Sequence, residues 1–167
     1  GNIAITTATV ANADLTINGP VSTAAGGTIT LTFGEDLFLN FGGLIQSDTG
    51  DITFTPTVLA ATDNHIVAFA AGTSVTTGVA VTFTATTENG SVLLNGALNA
   101  GGAVSIEAAA SGANLLVAVD GQLAAGGLVT IGSAAVTATS TINIGGTLAA
   151  GGGLTVNGGA GASTIIN

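Results

Sequence analysis

The amino-acid sequence predicts an all-β fold, a right-handed parallel β-helix (β-solenoid) of about seven coils, each built from three short strands. Three observations predict it: a repeat of about 25 residues, short runs that alternate apolar and small polar residues, and Gly-containing turns between the runs. The best preserved copies, written G-x-L-x-A-G-G-x-V-x-I, lie at 96–106, 121–131 and 146–156. Repeats of this size are typical of solenoids, because a single unit buries its apolar face only by stacking on its neighbours.

The first strand of each coil is an apolar, small polar, apolar triplet. Triplets begin at positions 3, 29, 52, 81, 104, 129 and 154, so successive starts are 26, 23, 29, 23, 25 and 25 residues apart. Because side chains alternate between the two faces of a strand, the third residue of each triplet should point inward. The expected inward column is Ile5, Leu31, Phe54, Phe83, Ile106, Ile131 and Val156. Phe54 should stack on Phe83 as core filling.

The second and third strands follow each triplet. The second-strand runs read DLTING, DLFLNFG, HIVAFAAG, SVLLNG, NLLVAVDG, STINIGG and STIIN. Third strands are expected around Val21, Leu44, Val75, Leu98, Leu123 and Leu148. Asn-Gly or Asp-Gly pairs at 18–19, 89–90, 95–96, 120–121 and 157–158 should supply positive backbone angles at the corners.

Composition restricts the partners. The 167 residues include nine acids and neither Lys nor Arg, for a formal charge of −9. Nucleic acid and anionic membrane surfaces are therefore not expected as partners, and cations are the plausible small ligands. The absence of Cys excludes disulfides and thiolate metal sites. Polar residues or Gly interrupt every apolar stretch before the roughly 18 residues that a membrane-spanning helix requires, so no membrane span is expected.

The repeat unit resembles the haemagglutinin and adhesin repeats of large bacterial exoproteins, of the filamentous haemagglutinin type. The resemblance covers most of the chain as a repeat pattern. It implies a secreted, elongated β-helix that lies outside the cell or on its surface and serves adhesion or structure. A host or matrix surface is the partner that it implies, and it provides no catalytic residues.

Acidic residues are the candidates for chemistry. Asp14, Asp36 and His65 each directly precede a second strand and are expected in one column, which continues through Ser91, Asn114, Thr141 and Thr164. This column is interpreted as a polar outward position, with His65 in a solvated loop, because a catalytic triad must converge on a nucleophile.

Metal binding is a separate possibility for the acids. Glu35, Asp36, Asp48 and Asp51 are close in sequence and could meet Asp14 on the next coil. Such oxygen ligands suit Ca²⁺, although the sequence contains no calcium-binding loop motif. These five residues are weak metal candidates, and no other cofactor is expected.

Enzymatic activity is not predicted, and no residue is assigned a catalytic role. Pectin-cleaving enzymes share the β-helix architecture, but lyases of that kind are expected to need Arg or Lys against an acidic sugar. Glycoside hydrolysis needs two carboxyl groups about 5–9.5 Å apart across a cleft. The sugar-binding Trp and Tyr that usually accompany them are missing here. A carbohydrate-active β-helix enzyme is therefore the least favoured alternative.

An outward ladder of hydroxyl residues predicts a third class of function. It consists of Thr30, Thr53, Thr82, Ser105, Thr130 and Thr155, and it is doubled in the segments TIT 28–30, TFT 53–55 and TFT 82–84. Ice-binding solenoids use such arrays, while Thr is also simply a good strand residue.

The favoured function is a non-enzymatic, exported structural β-solenoid, with residues 1–167 as one domain that is a subunit or a fragment of a longer assembly. It would form a stiff, protease-resistant extracellular filament or adhesin stalk, extended by head-to-tail stacking of copies or by further coils of the same chain. The alternatives are an ice-binding protein or a Ca²⁺-dependent surface-layer or adhesion module.

Overall fold

Three parallel β-sheets make up the fold of the computed structural model. It describes residues 1–8, 10, 13–57, 64–85, 89–108, 115–132, 140–157 and 163–166. Sheet A contains β1 (Ile3–Thr6), β4 (Ile29–Phe33), β7 (Ile52–Pro56), β10 (Val81–Ala85), β13 (Val104–Ala108), β16 (Val129–Ile131) and β19 (Leu154–Val156). Sheet B contains β2 (Leu15–Ile17), β5 (Leu37–Leu39), β8 (Asn64–Phe69), β11 (Asn89–Leu94), β14 (Leu115–Val119), β17 (Ser140–Ile144) and β20 (Ser163–Ile166). Sheet C contains β3 (Pro20–Thr23), β6 (Leu44–Ser47), β9 (Ser74–Thr77), β12 (Ala97–Ala100), β15 (Gln122–Ala125) and β18 (Thr147–Ala150).

Each strand pairs in parallel with the strand three places further along the chain, which is the topology of a β-solenoid. In sheet A, Ile3 pairs with Ile29 and Val129 pairs with Leu154, and the triplets between them follow the same register. The predicted β-solenoid and its period of about 25 residues are therefore confirmed. Among the residues described, no helix is long and apolar enough to cross a membrane.

The core is a set of apolar columns enclosed by the three sheets. Leu31, Phe54, Ile106 and Ile131 of the predicted inward column have no exposed surface. The rings of Phe54 and Phe83 stack with centroids 4.5 Å apart and an interplanar angle of 5°, which confirms the predicted pair. Phe69 from sheet B packs at a tilt against both rings, at 5.7 and 5.9 Å. The widest part of the core is thus filled by three aromatic rings.

One third-strand prediction is wrong by a single residue. Ile45, not Leu44, pairs with Val21 and Val75, and Ile45 is fully buried. Leu44 lies on the outer face opposite Pro20 and is half-buried. Both residues are apolar, so alternation alone did not distinguish which of them points inward.

The predicted role of the Asn-Gly and Asp-Gly pairs is also wrong for the described corners. Positive φ angles occur instead at Gly26, Gly42, Gly72, Gly132 and Gly153. At Gly96 and Gly121 the requirement is space: a Cβ at Gly121 would overlap the carbonyl oxygen of Gly96 on the preceding coil. Glycine is needed there because two backbones approach closely.

Buried hydroxyls complete the corner between sheets C and A in the early coils. Ser47 Oγ donates to the carbonyl oxygen of Gly27 at 2.6 Å, and Thr77 Oγ1 donates to that of Gly50 at 2.6 Å. In the later coils Ala100 and Ala125 occupy the equivalent positions. Glycine backbone bonds between coils, such as Gly127 N to Gly102 O at 2.9 Å, hold the corner there.

Candidate functional site

Three of the predicted acids lie at the corner between sheets A and B. The amide of Leu15 donates to the backbone carbonyl of Asp36 at 2.8 Å, which places Asp14 beside Asp36 on adjacent coils. Asp36 Oδ1 in turn accepts a hydrogen bond from the amide of Ile66 at 2.8 Å. The Asp36 carboxyl group therefore caps the start of the next strand of sheet B. We call Asp14, Glu35 and Asp36 the acidic corner.

The electrostatics of the acidic corner disfavour the ionised form of Asp36. Burial raises the pKa of the Asp36 carboxyl above its ordinary value of 3.8, and the negative charges of Asp14 and Glu35 raise it further. The hydrogen bond from Ile66 and the ring of His65 lower it. Removing the charge should therefore relieve more unfavourable interactions than it loses.

Asp36→Asn is expected to raise the melting temperature at neutral pH, because Asn keeps the acceptor for Ile66 N and removes the charge. In the parent, the raised pKa makes the folded state bind more protons than the unfolded state between 3.8 and the folded-state pKa. This group's contribution to stability therefore increases as pH falls through the folded-state pKa, and the gain is complete near 3.8.

Thermal scans of the parent and Asp36→Asn between neutral pH and about pH 4 measure this difference. Asp120→Asn, at an exposed corner, is the matched control for loss of one negative charge. The advantage of Asp36→Asn over the parent should shrink as pH falls. An Asn variant that melts below the parent at neutral pH contradicts the assignment.

The other two metal candidates lie at a different corner, between sheets C and A. Asp51 Oδ1 accepts a hydrogen bond from the amide of Ala80 at 3.2 Å, and the backbone carbonyl of Asp48 accepts one from Gly78 at 3.0 Å. The structure thus divides the five candidate acids between two corners. Within the described ranges, no three His, Asp or Glu side chains are grouped so that they could hold a metal ion.

Calcium binding stays a prediction, and chelation tests it. If the acids of either corner hold Ca²⁺, excess chelator should lower the melting temperature, and a site at a hundred times its Kd would contribute about 2.7 kcal/mol. Thermal scans in chelator and in calcium chloride measure the effect. An identical transition under both conditions removes the calcium hypothesis for both corners.

His65 is not the solvated loop residue that was predicted. It lies in β8 with 3% of its surface exposed, and its Nδ1 is 2.8 Å from the backbone carbonyl oxygen of Glu35. A carbonyl oxygen only accepts, so Nδ1 carries the proton and Nε2 has the lone pair. Nε2 is buried and has no hydrogen-bond partner in the described structure.

The predicted polar column is correct at four positions. Asp14, Asp36, Ser91 and Thr141 fall on it, but Ile66 occupies the place predicted for His65. Leu116 pairs with Ser91 at the next place, and the predicted Asn114 lies outside the described residues. At the last place Ser163, not Thr164, pairs with Thr141. An Asp, Asp, Ile, Ser sequence does not supply the residues of a catalytic triad.

A small cavity adjoins His65 in the widest coil. Its volume is about 20 Å³, enough for a single water molecule, and Phe54, Phe83 and Val92 contribute to its mostly apolar lining. His65 is the one titratable group in that lining. Such a cavity provides neither the paired carboxyl groups of a glycosidase nor a nucleophile beside a base.

The outer face of sheet A carries the predicted hydroxyl ladder. Thr30, Thr53, Thr82, Ser105, Thr130 and Thr155 pair in sequence along the sheet, as expected. Thr6, Thr32 and Thr55 form a second column beside it. The predicted doubling at 28–30 is therefore shifted, because Thr28 precedes β4 and Thr32 is the outward partner of Thr30.

Comparison of the chain with protein-family models, curated proteins and solved structures gave no match. The resemblance to filamentous haemagglutinin-type repeats therefore depends on the repeat pattern of the sequence alone.

Proposed function

We propose that this chain is an exported, non-enzymatic structural β-solenoid, right-handed and with seven coils, that forms a stiff extracellular filament or adhesin stalk. Export, an extracellular or cell-surface location and adhesion are supported by the repeat pattern. Its mechanical role is supported by the continuous parallel pairing of three sheets, since stability then accumulates by stacking between neighbouring coils.

The observation that carries the proposal is the incomplete burial of the core at the outermost strands. Ile3 and Ile5 of β1 are half-buried, whereas their partners Ile29 and Leu31 are fully buried. At the opposite side of sheet A, Leu154 of β19 is 42% exposed while its partner Val129 is fully buried. A further coil on each side would bury these apolar side chains as the interior coils are buried.

The backbone of β1 supports the same conclusion. The amides of Ile3 and Thr7 donate to the carbonyl oxygens of Thr28 and Thr32, at 2.9 and 3.0 Å. Because alternate residues of a parallel strand bond to opposite neighbours, the amides of Ala4 and Thr6 point to the unpaired edge. An exposed edge of this kind is a template for another strand.

We propose that further coils, from another copy or from the same polypeptide, occupy both edges. A contact between the β1 side of one copy and the β19 side of another is heterologous, so it does not close and it propagates as a fibre. Interior apolar columns would then be continuous across each junction.

Sedimentation velocity over a range of protein concentrations tests head-to-tail stacking. The parent should form species of increasing size as concentration rises, and Ala4→Pro should shift assembly to about tenfold higher concentration, because a lost edge bond of about 1.4 kcal/mol corresponds to that factor. Ala4→Ser, which keeps the amide, is the matched control and should assemble like the parent. A parent that stays monomeric at every concentration, or an Ala4→Pro variant that assembles like the parent, contradicts the proposal.

A further inference from the structure

We propose that the outer face of sheet A binds an ordered lattice of water molecules, that is, the surface of an ice crystal. This inference does not depend on the proposed filament, since it concerns the side of the solenoid and not its ends. The binding surface, called the threonine face, consists of Thr6, Thr30, Thr32, Thr53, Thr55, Thr82, Thr84, Ser105, Thr130 and Thr155.

The hydroxyls of the threonine face are free to bind water. Elsewhere in the chain, Thr23, Thr57 and Thr77 use their hydroxyls to bond backbone carbonyls. On the threonine face the only such bond within the described structure joins Ser105 Oγ to Glu107 Oε1, at 2.8 Å. The other nine hydroxyls therefore have water as their available partner.

The array is regular in two directions. Paired residues on neighbouring strands lie about 4.8 Å apart, and alternate residues of one strand, such as Thr53 and Thr55, lie about 6.6 Å apart. These two distances are comparable in size to the oxygen repeats on a prism face of hexagonal ice. Each Thr presents one hydroxyl and one methyl group, so the surface can both bond and exclude water molecules.

The side chains are also held in place before binding. Thr30, Thr53 and Thr82 are half-buried between neighbouring strands. Their β-branched side chains have restricted χ1 rotation, so little conformational entropy is lost when the lattice is bound. A preformed array is needed for a ligand whose positions are fixed by its own crystal.

The charge pattern favours a neutral ligand. The chain has nine acids, but Glu107 is the one charged side chain in the two described columns of this face, and it lies beside Ser105. The columns contain no aromatic ring on which a sugar could stack. A water lattice, which has no net charge and needs only donors and acceptors, fits this surface better than a polysaccharide.

Partition of the protein into slowly growing ice tests the inference, at a concentration below that at which the chain assembles. The parent should be enriched in the ice fraction, and Thr53→Glu should reduce that enrichment at least about tenfold, as expected for a loss of 1.4 kcal/mol or more. Thr76→Glu changes a half-buried outward Thr on sheet C and should partition like the parent. Melting temperatures of all three show whether the fold is retained.

Thr53→Val keeps the branched shape and removes one hydroxyl, so it decides the question if Thr53→Glu fails to fold. It should also reduce enrichment in ice. A parent that is excluded from ice like an unrelated soluble protein overturns the inference, as does equal enrichment of the folded Thr53 variants. Adsorption of the parent to a crystalline polysaccharide and not to ice overturns it too.

Discussion

Phe83→Ala is expected to reduce the free energy of unfolding by about 3–5 kcal/mol, the largest side-chain effect in this protein. Phe83 is 2% exposed and contacts two other rings, with its centroid 4.5 Å from that of Phe54 and 5.9 Å from that of Phe69. Truncation removes a large buried surface and leaves a cavity that three sheets cannot easily close. Thermal or denaturant unfolding measures the loss.

Phe41→Ala is the matched control, because the ring of Phe41 is 82% exposed at a corner, where it lies against Gly72. It should change stability by no more than about 0.5 kcal/mol. If Phe83→Ala melted like the parent, the aromatic stack in the core and the register of sheet A would both be contradicted.

Gly121→Ala should be the most damaging substitution of a small residue. A Cβ there would overlap the carbonyl oxygen of Gly96 and lie 2.7 Å from the carbonyl carbon of Asn95, both on the preceding coil. Backbone atoms cannot move aside as a flexible side chain can, so two coils must separate. We expect a loss of about 1–3 kcal/mol or more, measured as a lower melting temperature.

Gly19→Ala provides the control at the same corner of the first coil, since a Cβ at Gly19 would have no atom within 4 Å. The control should melt within about 0.5 kcal/mol of the parent. Equal melting temperatures for Gly121→Ala and Gly19→Ala would contradict the close approach of successive coils at this corner.

Much of the solenoid could be predicted from the sequence, because stacking makes one strand of each coil a copy of the last. The first-strand triplets are short, alternate cleanly and contain β-branched residues, so their pairing from Ile3 to Leu154 followed from spacing alone. The Phe54–Phe83 stack followed from the same register. These features depend on local pattern, which is what a single sequence contains.

The errors have a physical cause in the corners and in unequal coil lengths. The coil between Ile52 and Val81 is 29 residues long, and this extra length hid which residue begins the inward alternation of β8. His65 was therefore assigned to the surface, although it is buried and bonded to the carbonyl of Glu35. Likewise, the five acids were expected to meet because they are close in sequence, but a complete strand of sheet C separates Asp36 from Asp48.

The threonine face was predicted in one column and missed in the other. Thr30, Thr53 and Thr82 repeat at the triplet centre, which the spacing identifies directly. Thr6 and Thr32 lie beyond the triplet, and only the observed strand lengths show that β1 and β4 extend far enough to include them. Strand ends are set by where the corner begins, and no repeated residue marks that point in this chain.

Fibre diffraction from the concentrated protein, combined with electron microscopy of the same sample, tests the central claim most directly. If coils stack across the junctions between copies, elongated filaments should form and a reflection near 4.8 Å should lie along the filament axis, because the strands run across that axis. Isolated short particles at the highest concentration, or a 4.8 Å repeat oriented across the filament, would contradict a solenoid that extends end to end.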